Sequence, residues 1–249
     1  MRRLYEFNLI TKKWEAGIME TGITGQVKPM AFWLSLICFG VPTIVAALGQ
    51  YVLYPFFASY GISEETAYHY QMLVVFTFLL IAALVAYLNE GNTLDWLSFK
   101  RRFRLYSLDR KGWKWTFGGI LAQIVLSLIA TVLAIKAYDI LNFTPPDIFP
   151  PGSITNVPLM VFVLFMNVIS EELWWRGYVL PRQEKQHGRV TWAIHGVLWA
   201  FFHAFKWWAV PFMLFTTWIV PFVAQRNENT TPGIIIHFVL NGLGILISG

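Results

Sequence analysis

Two adjacent carboxylates, Glu171 and Glu172, lie in a stretch otherwise apolar enough to cross a membrane, from Val157 through Ser170 and on to Glu-Glu-Leu-Trp-Trp-Arg-Gly at 171–177. An ionisable side chain at the centre of a membrane helix costs about 2.5–3.5 kcal/mol on insertion scales, so it marks a functional site by default. Glu172 and Arg176 are four apart, face each other on one side of a helix and can neutralise one another. Glu171, about 100° further round, lacks that partner and has Asn167, four residues before it, as its neighbour. Two further groupings recur in apolar surroundings. His203 follows Trp199 and His195 at helical spacing, and His237 stands four before Asn241, so that imidazole and carboxamide project from one face.

A carboxylate, two imidazoles and a carboxamide drawn from three helices suit hydrolysis of a carbonyl compound without a serine or cysteine nucleophile. Glu171 is placed to act as general base on a water, with His203 sharing that water or carrying its proton onward. His237 and Asn241 offer hydrogen bonds to a developing oxyanion, an interaction whose loss costs about 10²- to 10³-fold in rate. Zinc is the rival reading of the same atoms: Glu171, His203 and His237 are the ligand types of hydrolytic zinc enzymes. The helical signature of zinc proteases, two His at i and i+4 around a Glu, is absent from the sequence. Taken singly, His203 or His237 reads as an interhelical hydrogen bond. It is their recurrence with Glu171 and Asn241 that favours chemistry. His69 and His187 fall in expected loops, and His195 is either a supporting or an interfacial residue.

The elements that must carry these groups are set by composition. Of 249 residues, 56% are hydrophobic and only 13% charged, against about 25% charged in soluble domains, with a mean hydropathy of +0.52. The expectation is an all-α polytopic transmembrane bundle forming a single domain over 1–249, with the chemistry confined to 157–248. Seven runs approach the ~20 residues a spanning helix needs: 31–54, 70–89, 114–137, 157–179, 190–207, 208–224 and 232–248. The last three are short and nearly without loops, so the count is six to eight, with the fifth and sixth runs tilted, broken or partly re-entrant. If those helices were straight, Glu171 and His203 would sit at depths roughly 9 Å apart at 1.5 Å rise per residue.

The net charge of +5 is spread as in a membrane protein, which argues against nucleic acid. Lys and Arg crowd the amino-terminal segment, the 90–113 loop and the 180–189 loop, whereas the 55–69 and 138–156 connections have none. Positive loops face the cytoplasm, which sets the amino terminus inside. Lys100, Arg101, Arg102 and Arg104 interleave with Phe103, Leu105 and Tyr106, as in a segment lying on lipid headgroups. Trp113, Trp115, Trp192, Trp207 and Trp208 near the run ends fit an aromatic belt. The Pro-rich 142–158 segment cannot be a regular helix. No secretory signal is visible in the first thirty residues. The single cysteine, Cys38, reads as a small buried side chain.

The sequence at 171–177, His203 with an aromatic four residues before it, and His-Phe-Val-Leu-Asn at 237–241 together resemble the three motifs of the CPBP family. That family comprises the CAAX prenyl endopeptidases and the bacteriocin-processing and immunity (Abi) membrane proteases. The resemblance covers about 157–248, and its one departure is Trp199 where the family usually has Phe. It implies an intramembrane endopeptidase with Glu171 as base, His203 assisting, His237 and Asn241 at the oxyanion, and Glu172 and Arg176 holding the architecture. Its substrate would be a peptide or protein, membrane-associated or prenylated. A bacterial inner membrane fits the bare chain and short loops. The alternative class is a non-proteolytic membrane protein, a transporter or a pseudo-enzyme scaffold. Against the transporter stands the absence of paired discontinuous helices in two corresponding halves.

Overall fold

The computed structural model describes residues 27–146 and 156–248, and every described element is helical. The amino-terminal segment and most of the Pro-rich connector therefore lie outside the described residues. Helix α1 (Phe32–Leu48) continues through π-helical turns at Gly49–Leu53 into α2 (Tyr54–Ser59). Next come α3 (Glu64–Asn89), the short α4 (Trp96–Arg102) and the 31-residue α5 (Arg110–Ile140). Side-chain caps start three of these helices. Ser63, Asp95 and Asp109 each accept a hydrogen bond from the amide three residues on, satisfying donors that a helix start leaves free.

The second half begins with α6 (Val157–Glu171), capped by Asn156, which passes without a break into π-helical turns at Glu172–Val179 and then α7 (Leu180–His187). Gly188, at φ +62°, reverses the chain, a conformation that favours glycine. Thr191 and His195 then reach back to Gln183. Helix α8 (Thr191–Phe202) stops at His203, and 3₁₀ turns (Ala204–Ala209) lead into α9 (Val210–Met213). Helices α10 (Ile219–Asn227) and α11 (Thr231–Ser248) complete the chain.

Four segments are long and apolar enough to cross a membrane: Phe32–Ser59, Glu64–Asn89, Arg110–Ile140 and Val157–Phe202, the last folded back at Gly188. The 190–207 and 208–224 runs do not form such helices. The first becomes α8 and the 3₁₀ turns, the second α9, further turns and α10. The break is pinned from both sides, since the Tyr51 hydroxyl donates to the Phe205 carbonyl and that of Tyr138 to the Trp208 carbonyl.

Leu121, Leu128 and Ile135 recur every seven residues along α5 and stay more than 60% exposed, the stripe a helix turns toward hydrocarbon. The main core joins α1, α3, the π-helical turns and α8 around Phe39, Trp175 and Phe202. A smaller core joins α10 to α11 through Ile219, Val220, Val223 and Ile236, with Ile120 and Leu126 of α5 packed on it. The polar cluster of the second half lies between these two cores.

Two of the sequence expectations change here. His69 is not in a solvated loop, because α3 starts at Glu64 and buries it. His195 is fully buried, stacked edge-on against Phe39 and bonded to Gln183, so it is a packed structural residue rather than an interfacial one.

Candidate active site

The polar cluster is organised by the helix that carries both carboxylates. At Glu172 that helix widens from α to π, so Glu171 is the last residue of regular α geometry and Glu172 the first of the wider turn. Such π turns interrupt α-helices mostly at functional sites. Their cause is readable in the chain. Pro181 has no amide hydrogen, so it cannot bond the carbonyl four residues earlier, that of Gly177. The Arg102 guanidinium donates to that carbonyl instead, at 2.9 Å. A second helix interruption is bridged in the same way. Pro42 leaves the Cys38 carbonyl of α1 without its donor, and the Trp174 indole supplies one at 3.2 Å.

Arg102 is itself held by Glu90, which also takes a hydrogen bond from Arg182 at 3.1 Å. Both guanidiniums lie over the Tyr178 ring, 4.9 and 5.2 Å from its centre. Gly177 allows this approach, since a Cβ there would stand 2.6 Å from the Phe103 ring. The basic segment after α3 thus braces the helix that bears the two carboxylates.

The Glu172–Arg176 pair forms as the spacing implies, at 3.1 Å and with both side chains wholly buried. Glu172 does more than the sequence indicated. The same carboxylate oxygen accepts from His237 Nδ1 of α11 at 2.9 Å. The opposing backbone comes close because residue 233 is glycine: a Cβ there would lie 2.5 Å from the other Glu172 oxygen. This contact orients the His237 ring and leaves its Nε2 for other partners.

Glu171 is 4% exposed. One of its oxygens accepts from the Asn167 amide at 3.0 Å, and the other, Oε2, is buried with no hydrogen-bond partner. Asn167 accepts in turn from Asn241 at 2.5 Å, so α11 reads both levels of the carboxylate helix, His237 at Glu172 and Asn241 at Asn167. Trp199 occupies the middle. Its ring carries the Arg176 guanidinium at 4.1 Å and meets His237 and His203 edge-on at 5.9 and 5.7 Å.

His203 sits where α8 ends, its Nδ1 bonded to the Trp199 carbonyl at 2.9 Å. The fifth run is interrupted from His203 onward, with Lys206 outside helical geometry. No direct hydrogen bond joins the side chains of Glu171 and His203, and His203 and Asn241 remain half-buried at the edge of the enclosed cluster. Trp199 is the residue whose part the sequence understated. Its signal was its place midway between His195 and His203.

Among the described residues, no group of three or more His, Cys, Asp or Glu side chains is gathered as a metal-binding set. His237 and His203 each commit one nitrogen elsewhere, to Glu172 and to a main-chain carbonyl. Each keeps Nε2 available, the arrangement in which a metal-binding imidazole is held by its other nitrogen, but Glu171, His203 and His237 are not gathered into one such set.

The described chain is thus an all-helical bundle with helices apolar enough to cross a membrane and a buried Glu, His and Asn cluster in its second half. Residues 153–243 match the family described as Type II CAAX prenyl endopeptidase Rce1-like. Over that segment the chain is similar to the CPBP intramembrane proteases, and its apolar helices make it an integral membrane protein. No curated protein and no solved structure matches it significantly.

Proposed function

We propose that this protein hydrolyses peptide bonds with a water activated by Glu171. The reading rests above all on one observation: Glu171 Oε2 is buried without a close hydrogen bond while its sister oxygen is fixed by Asn167, and the Trp199 indole is the other group drawn to the carboxyl. A carboxylate oriented through one oxygen has the other available to accept a proton from water, as a general base must. Deprotonated by Glu171, that water adds to the scissile carbonyl carbon. The oxygen then gains negative charge, which the Asn241 amide stabilises by donating a hydrogen bond, joined by His237 Nε2 when the imidazole carries a hydrogen on both nitrogens. His203, its Nδ1 held by the Trp199 carbonyl, takes the water's proton from Glu171 at Nε2 through an intervening water and delivers it to the leaving amine.

Arg176 and Glu172 set the frame. Glu172 also fixes the His237 tautomer, because a carboxylate accepting at Nδ1 leaves the ring to act through Nε2. The substrate is a membrane-associated peptide or protein, lipid-modified or prenylated in keeping with the family's name. The chain is placed in a bacterial inner membrane with its amino terminus in the cytoplasm, a reading supported by the positive charge of alternate loops. No step is assigned to a metal; zinc held by Glu171, His203 and His237 remains the competing proposal. A transporter or binding scaffold is the other competitor: Glu171 alone could serve a proton relay or a counter-ion, and it is the company of His203, His237 and Asn241 that favours hydrolysis.

The test is cleavage of a membrane-anchored reporter peptide by purified protein in detergent. Wild type should cleave, including after exhaustive chelation with no metal detectable in the preparation, and His203→Ala should lose most of that activity. Full activity in His203→Ala defeats this mechanism, and activity abolished by chelation and restored by zinc establishes the competing one.

A further inference from the structure

Remote from the polar cluster, the Asn89 end of α3 and the short helix α4 enclose a groove of about 420 Å³. Its walls are Leu84, Tyr87, Leu88, Trp96 and Phe99, with Leu94 at the lip. Leu88 is 45% exposed and Leu94 87%, so the groove is open at the end of a helix long enough to cross the bilayer. An apolar trough at that position invites a hydrocarbon chain.

The charges at its rim determine which one. Of the four cations between 100 and 104, two are engaged in the fold: Arg102 with Glu90 and Arg104 with Glu184. Lys100 and Arg101 have no ion-pair partner among the described residues. They stand one helical turn after Trp96 and Leu97, and the Lys100 ammonium lies 5.9 Å over the Trp96 ring at the groove wall. The acidic residue in the lining, Asp95, is occupied as the α4 cap. The Ser98 and Thr93 hydroxyls and the Ser98 amide hold its carboxyl well below the usual carboxylate range. Two cations without an ion-pair partner, against the single ionised carboxyl of Asp95, beside an apolar trough on a spanning helix complement a molecule that is anionic at one end and aliphatic at the other.

We infer that this groove binds an anionic glycerophospholipid, with an acyl chain along Leu84, Leu88 and Trp96 and the headgroup phosphate at Lys100 and Arg101. The site is one side-chain layer from the helix of the carboxylates. Phe99 and Tyr87 pack on Phe103 at ring distances of 4.7 and 5.6 Å, and Phe103 abuts Gly177. A lipid seated there stiffens the same segment through which Arg102 bonds the Gly177 carbonyl. The inference is independent of the hydrolytic mechanism.

Native mass spectrometry of the full chain, released from detergent micelles containing phosphatidylglycerol or phosphatidylcholine, reads the binding directly. Wild type should retain phosphatidylglycerol in preference to phosphatidylcholine. Each basic side chain near an anionic headgroup contributes about fivefold in affinity. Lys100→Gln with Arg101→Gln should therefore cut phosphatidylglycerol retention about 25-fold and leave phosphatidylcholine retention unchanged. Neither side chain is ion-paired, the Lys100 contact with the Trp96 ring being the one the variant gives up, and circular dichroism will show the variant folded. Leu88→Asp, placed in the wall, should lower retention of both lipids. Equal retention of the two lipids by wild type, or undiminished phosphatidylglycerol retention by the neutralised variant, overturns the proposal. So does a co-purifying polypeptide displaced by the same substitutions.

Discussion

Replacing Glu172 by Gln separates the two jobs the structure gives this carboxylate. One of its oxygens is ion-paired with Arg176 at 3.1 Å and accepts from His237 Nδ1 at 2.9 Å, and neither Glu172 nor Arg176 has exposed side-chain surface. Neutralising Glu172 leaves the guanidinium as an uncompensated buried charge, which typically costs about 3–5 kcal/mol. At roughly 2–4 °C per kcal/mol for a chain of this size, thermal unfolding should fall by on the order of 10 °C. The amide can donate as readily as accept, so it no longer dictates which nitrogen of His237 carries the proton. Where a catalytic imidazole loses its tautomer the rate falls by orders of magnitude. Because Gln can still accept from Nδ1, a loss of about 10²-fold in kcat is expected here. The assay is reporter-peptide cleavage alongside detergent-phase melting for wild type, Glu172→Gln, and Glu172→Gln combined with Arg176→Met. The double variant removes the stranded charge and should regain most of the stability, yet stay as inactive as the single one. If activity returns together with stability, Glu172 serves only to neutralise Arg176, and the role assigned to its contact with His237 is wrong.

Three further substitutions probe how the cluster is held. Gly233→Ala places a methyl 2.5 Å from Glu172 Oε2 and 3.3 Å from Val220; such overpacking costs about 1–3 kcal/mol, and a drop in kcat with a lowered melting temperature is expected. Arg102→Ala strips the Gly177 carbonyl of its donor and Glu90 of one partner, so amide exchange over 172–179 should accelerate, with Arg102→Lys restoring part of the protection. Asn241→Leu removes the 2.5 Å bond to Asn167 together with a donor to the oxyanion, and steady-state kinetics should show kcat down by about 10²-fold with KM little changed.

What the sequence disclosed depended on range. Contacts within one helix were legible, because spacing alone determines them: Glu172 with Arg176, Asn167 with Glu171, and the shared face of His237 and Asn241. The shortness of the fifth and sixth runs likewise anticipated a broken segment, and the chain does leave helical geometry at His203. Contacts between helices were not legible. That His237 would meet Glu172, the carboxylate already matched by spacing to Arg176, depends on how closely α11 approaches, which Gly233 permits. The π turns were also hidden. Pro181 announces only a missing donor, and the residue that replaces it, Arg102, lies 75 positions before the Gly177 carbonyl it serves, in a segment whose cations read as membrane-surface charge. Trp199 looked like a packing aromatic, whereas its ring separates two imidazoles and carries a guanidinium, an arrangement that three helices must assemble.

The central claim is that Glu171 is the base that activates water, and the most direct measurement is the single-turnover cleavage rate of Glu171→Gln against wild type at saturating enzyme. Glutamine retains the size of the side chain and its hydrogen bond with Asn167 but cannot accept the proton. The account predicts a fall of about 10³-fold or more in a protein that remains folded, with reporter binding unchanged. A variant that cleaves within tenfold of the wild-type rate would contradict it.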